Sequence, residues 1–124
     1  MYDNLLRKLL PNDKVQLLPV DIFPAELKLL VLAPHPDDFD AIAITMKRFK
    51  GNGNLITVAV ISSGASGVEN SYLNNSTDLS VKALIREREQ YASTTFFGLG
   101  ENNLSFLRAE EDVNGDILEN EANQ

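Results

Sequence analysis

Two short apolar runs, residues 29–33 (LLVLA) and 55–61 (LITVAVI), are separated by a stretch too long for a hairpin. That stretch carries a helical period. Residues 40–50 put Ile42, Thr45, Met46 and Phe49 on one face, and Gly51 follows as a C-cap. Strands joined through a helix must run parallel, because the chain has to return to the same end of the sheet before pairing again. The pattern then repeats. Residues 62–77 are polar and read as a loop. Residues 78–97 form a second helix with Asp78 as N-cap, an expected buried stripe of Val81, Leu84, Ile85, Arg88 and Ala92, and Gly98 as terminator. Residues 104–107 read as a third strand. The expectation is an α/β fold: a Rossmann-like, doubly wound, mainly parallel sheet in three layers, incomplete in this chain. The continuous apolar character of residues 29–33 predicts a strand buried on both faces.

The organisation along the chain is an N-terminal arm over residues 1–28, a core over 29–112 and a tail over 113–124. Within the arm, Leu5, Leu6, Leu9 and Leu10 have helix-like spacing, ended by Pro11, Asn12 and Asp13. A length of 124 residues fits one domain. The formal net charge of −7 argues against a nucleic-acid partner, whose phosphates call for a basic face. With no cysteine, disulfides, thiolate zinc sites and cysteine nucleophiles are excluded. No apolar run reaches membrane-spanning length and no signal-peptide pattern opens the chain, so a cytoplasmic location is expected.

The chain has one histidine, and it stands in the sequence Pro34-His35-Pro36-Asp37-Asp38, between the first strand and the first helix. Ligands of parallel α/β sheets gather outside the carboxyl ends of the strands, which is where this turn lies. The two prolines stiffen it. Carboxylates at a helix start can serve as simple caps, since free backbone amides stabilise them. Capping accounts for one aspartate, but not for an adjacent pair beside the single histidine. An imidazole with a nearby carboxylate suits a borderline divalent cation, and a second, non-ligating carboxylate can take a proton from water.

The stretch VLAPHPDD after a first strand resembles the signature of the PIG-L/LmbE-like N-deacetylases, zinc enzymes that remove acetyl groups from N-acetylglucosaminyl compounds and related amides. The resemblance continues through ISSGASG (61–67), IREREQYASTTFFGLG (85–100) and LSFLRAEED (104–112), and covers about residues 29–112 in order. It implies His35 and Asp38 as zinc ligands, Asp37 as the catalytic general base, and a water that attacks the acetamide carbonyl. It implies Arg86 as a contact for a substrate hydroxyl or phosphate, with Ser63 and Gly64 in the substrate-binding loop. Without such a role, Arg86 is a helix-surface arginine paired with Glu89 or Gln90. The implied partner is a small N-acetylated amino sugar or conjugate, and the implied cofactor is Zn2+ or another divalent metal.

The sequence also departs from that family's pattern. Phe39 stands where many members have Glu, and Ile42, Ile44 and Thr45 replace glycines at the start of the first helix. Acidic positions of the second loop appear as Ser63 and Ala65. The family's third, downstream histidine ligand has no counterpart here. These departures imply the N-terminal half of a deacetylase-type fold, with a two-ligand site that is weak unless an acidic residue or a neighbouring chain completes it; a homodimer could lend Glu110, Glu111 or Asp112. Two other classes follow from the same residues. One is a sugar- or ligand-binding module of the same fold without chemistry. The other is a phosphoryl-transfer enzyme using Asp38 and Asp40. A dinucleotide-binding role is weaker, because GNGNL precedes the second strand and does not open a helix.

Overall fold

The computed structural model describes residues 19–112 and 114–119. The leucine-rich segment read as a helix near the N-terminus, and half of the tail, lie outside them. Three strands, β1 (Lys28–Ala33), β2 (Leu55–Ser62) and β3 (Leu104–Ala109), form one parallel sheet in the order β1-β2-β3. The first crossover contains α1 (Asp38–Ala41) and α2 (Ala43–Gly51), which break at Ile42, and the second contains α3 (Leu79–Phe97). The α/β parallel architecture is as expected, with each strand within a residue or two of its expected bounds.

Crossovers of one hand in a sheet of sequential order put both helical segments on the same face. The side chains agree. Phe39 of α1 meets Phe97 of α3 edge to face at 5.0 Å. Both pack with Ala33, Ile56, Val58, Val60 and Leu104 in one buried cluster. Phe39 is fully buried. The residue that departs from the family's glutamate is therefore a core aromatic. Of the predicted stripe over residues 40–50, Phe49 is buried and Thr45 and Met46 are half-buried, whereas Ile42, where α1 and α2 meet, is 40% exposed.

Two expectations need correction. β1 is not buried on both faces: Leu30 and Leu32 are 62% and 60% exposed, because no second helical layer covers that face among the described residues. The predicted stripe of α3 is also on the wrong side. Val81, Leu84, Arg88 and Ala92 are exposed, and the buried residues are Lys82, Gln90, Thr94 and Phe97. The helix buries a largely polar stripe, because that side carries hydrogen bonds to the neighbouring loops. Lys82 Nζ, for example, donates to Val68 O at 2.5 Å and Asn70 Oδ1 at 2.7 Å.

Asp78 caps α3 as read, accepting from the Ser80 and Val81 backbone amides. These bonds hold its carboxyl below the usual range, the Ser80 side chain contributing most. Gly98 closes the helix at φ 92.

Candidate functional site

The carboxyl ends of all three strands contribute. After β1, the turn from Pro34 carries His35, Asp37 and Asp38. The imidazole is partly open to solvent, its side chain 39% exposed. Its Nδ1 lies 3.6 Å from Asp38 Oδ2, and its Nε2 lies 3.3 Å from Glu111 Oε1. Asp38 Oδ2 also accepts the His35 backbone N–H at 2.8 Å, so this carboxylate closes its own turn as well as facing the ring.

Asp37 occupies the left-handed region at φ 87, unfavourable for a residue with a Cβ. Two side chains of α3 hold it there. Gln90 Oε1 accepts the Asp37 N–H at 2.7 Å. Arg86 donates to Pro36 O at 2.8 Å and to the two Asp37 carboxylate oxygens at 3.3 and 3.4 Å. Arg86 thus reaches across to the turn rather than pairing with Glu89 or Gln90. Residues 86 and 90 lie one helical turn apart, on the polar stripe that replaced the expected apolar one. Non-glycine residues in strained backbone conformations concentrate at functional sites when their surroundings enforce them, and this turn has that character.

After β2, Gly64 adopts φ 60, and a Cβ there would stand 3.0 Å from Arg86 Nη2 and 3.2 Å from His35 Cβ. Glycine is required both by the backbone and by the closeness of the ring. The Gly64 N–H donates to Glu111 Oε1 at 3.2 Å, and Ser63 Oγ lies 3.4 Å from Glu111 Oε2. After β3 comes Glu111 itself, its side chain only 6% exposed. It is the residue of this site that sequence reading treated only as a loan from a second copy. Here it belongs to the same chain as His35. The one signal in the sequence was its place in an acidic turn directly after a strand.

Asp40 faces elsewhere. Its carboxylate accepts the Ser93 hydroxyl of α3, while Asp38 serves its own turn, so the two carboxylates of the phosphoryl-transfer reading are engaged with different partners. Beside Glu111 a cavity of about 740 Å³, lined by Ser63, Ala65, Leu79, Leu84 and Arg108 among others, falls within the size range of small-molecule sites. At its rim Arg108 pairs with Glu87 at 2.8 Å, which raises the arginine's pKa further.

The spacing of His35 and Asp38 matches that of two ligands on one cation. Two ligands about 2.1 Å from one tetrahedral ion sit about 3.4 Å apart. His35 Nδ1 and Asp38 Oδ2, at 3.6 Å, are too far apart for a hydrogen bond and spaced to share such an ion. No cluster of three potential ligands occurs among the described residues.

The chain is similar in structure to N,N′-diacetylchitobiose deacetylase from Pyrococcus horikoshii, solved with an inhibitor, with a TM-score of 0.63 and 24% sequence identity over 89% of this chain. The match spans 38% of that enzyme's chain. At this identity the likeness is one of fold. No protein-family model matches the sequence, and no curated protein matches it.

Proposed function

We propose that this chain carries the metal-binding part of a PIG-L/LmbE-like amide hydrolase, one that removes acetyl groups from N-acetylated amino-sugar compounds. The observation that carries the reading is the pairing of His35 Nδ1 with Asp38 Oδ2 at 3.6 Å, beside a strained Asp37, at the carboxyl end of the first strand. The fold shared with a chitobiose deacetylase supports it.

In this reading His35 and Asp38 hold zinc or another divalent cation. Such an ion supplies Lewis acidity, polarising an amide carbonyl and making nearby water more acidic. Asp37, its side chain 66% exposed, is the base that takes the proton from the attacking water and returns it to the departing amine. Arg86 and Gln90 fix its direction from α3, so that the reacting groups meet in a defined geometry. Arg86, already donating to Pro36 O and Asp37, acts on the base first and on substrate only through what remains of its fork. Catalytic zinc sites normally have three protein ligands, so two donors predict weak cation binding by this chain.

The test is a zinc titration by calorimetry with an acetate-release assay on a diacetylated chitobiose. Cation binding should disappear in His35→Ala and survive in Asp37→Asn, while acetate release should be lost in both. Binding indifferent to His35→Ala would sink the metal reading. Sugar binding without any acetate release would favour the non-catalytic binding module.

A further inference from the structure

We infer that Glu111 is the positioning residue of His35, accepting its Nε2–H so that the Nδ1 lone pair is turned toward Asp38. The inference rests on the metal reading of His35, but it concerns an arrangement that exists before any cation arrives.

A local irregularity brings Glu111 to the ring. The register between β2 and β3 shifts between Val60 and Ser62, where Ser62 aligns with Ala109. Arg108 adopts φ 56 at the same point. Irregularities of this kind bend a strand and redirect its side chains. Here the chain turns so that Glu111 comes under the end of β2, with its carboxylate nearly buried. Oε1 receives the Ser62 hydroxyl at 2.5 Å and the Gly64 N–H at 3.2 Å, and faces His35 Nε2 at 3.3 Å. A carboxylate so removed from water needs donors on its lone pairs; the Ser62 hydroxyl and the Gly64 N–H provide two, and an Nε2–H would add a third.

The ring geometry then decides the role. The two nitrogens of an imidazole point away from each other, so groups facing Nδ1 and Nε2 lie on opposite sides. Asp38 faces one and Glu111 the other. A cation shared by Nδ1 and Asp38 is therefore out of reach of Glu111, which cannot be the missing third ligand. It can fix the tautomer. With the proton on Nδ1, the Nε2 lone pair would face a carboxylate oxygen. With the proton on Nε2, that contact becomes a hydrogen bond and Nδ1 is left free to ligate. Gly64 leaves room for the ring in this position, since a Cβ there would stand 3.2 Å from His35 Cβ and 3.4 Å from its Cδ2. Carboxylate–histidine pairs of this kind orient metal ligands, and losing the carboxylate typically weakens binding about 10- to 100-fold.

The single histidine gives an unambiguous readout. In the full chain labelled with 15N-histidine, without metal and above the imidazole titration range, long-range 1H–15N spectra should show a pyridine-type Nδ1 and a pyrrole-type Nε2. The Nε2 proton should be protected from exchange. In Glu111→Ala that protection should vanish and the tautomers should mix, and zinc binding should weaken about 10- to 100-fold. Glu111→Gln, which keeps an acceptor oxygen and is the milder change to folding, should retain the Nε2–H tautomer with a weaker hydrogen bond. An Nδ1–H tautomer in the unmodified chain, or a protected Nε2 proton unchanged in Glu111→Ala, would overturn the inference. The expected spectra in a chain that fails to bind zinc would uphold the positioning role and remove the metal reading alone. Zinc binding that depends on His35 but not on Glu111 would do the reverse.

Discussion

The two ends of the sheet are both tied by polar side chains, but to different effect. At the amino end, Asn54 is buried and donates to Pro24 O at 2.8 Å, while Asn52 donates to Phe23 O at 3.1 Å and to Asn54 Oδ1 at 3.2 Å. The aromatic pair Phe23 and Phe49 closes over this cluster at 5.4 Å. Left-handed backbone occurs at both ends, in Glu26 at one and Asp37 at the other, so strain alone does not separate them. Satisfaction does. Among the described residues, the buried side-chain atoms without a hydrogen-bond partner are Arg86 Nε and Gln90 Nε2, both at the carboxyl end. Buried polar groups are nearly always paired, and exceptions in a folded protein call for a reason. The amino end uses its polar groups to hold the fold. The carboxyl end keeps more polar capacity than the fold consumes, as a site that works on something else would.

The largest expected effect breaks the amino end. Asn54→Ala removes two side-chain bonds and strands Pro24 O, which should lower stability by about 2–3 kcal/mol in urea unfolding. At the carboxyl end, Gln90→Leu removes one bond to the exposed Asp37 but also removes an orphan N–H, so its cost should stay near or below about 1 kcal/mol. Equal costs for the two substitutions would erase the distinction between the ends.

A smaller effect sharpens it. At an ordinary position Ala is more stable than Gly, by roughly 0.5–1 kcal/mol in a regular element. At Asp37, with φ 87, the order should invert, Asp37→Gly exceeding Asp37→Ala by about 1 kcal/mol in chemical unfolding. Both substitutions remove the carboxylate, and under the proposed function both should abolish hydrolysis alike. Ala above Gly would mean that the turn relaxes without its aspartate and that the left-handed conformation is not imposed by Arg86 and Gln90.

The sequence made parts of this architecture readable for identifiable reasons. The apolar runs and the helical stretch between 40 and 50 dictated parallel strands, because chain connectivity leaves few alternatives. Asp78 and Gly98 marked the ends of α3 through capping chemistry that acts locally. What periodicity could not reveal was which face is covered. Leu30 and Leu32 are as apolar as Leu29 and Val31, yet only the latter pair packs on the core. In α3 the buried stripe runs through Lys82, Gln90 and Thr94, polar residues; Lys82 and Gln90 bond to loops 12 to 53 residues away, and Thr94 to the helix's own carbonyls. The turn of His35 was visible as a motif. Its supports were not: Gln90 and Glu111 stand 53 and 47 residues from Asp37 and Gly64, the groups they hold, and the irregularity of β3 that delivers Glu111 leaves no mark in composition.

The smallest expected effect tests a tie that serves the carboxyl end from a distance. Asp78 caps α3, the helix that carries Arg86 and Gln90 to the turn of Asp37. Its carboxyl is held below the ordinary value of 3.8, chiefly by the Ser80 hydroxyl and then by the Val81 and Ser80 amides. A folded pKa below the unfolded one means that the native state favours the ionised form. The contribution to stability is therefore complete above the unfolded value and is lost as the pH falls through the lowered one. Asp78→Ala should reduce the melting temperature modestly at neutral pH, and the difference from the unmodified chain should close in acid below that lowered value. Asp78→Asn, which still accepts from the backbone, should fall between them at neutral pH and show little of the acid convergence. A gap between Asp78→Ala and the unmodified chain that stays constant down to strongly acid pH would show that the cap acts by shape alone, without its charge.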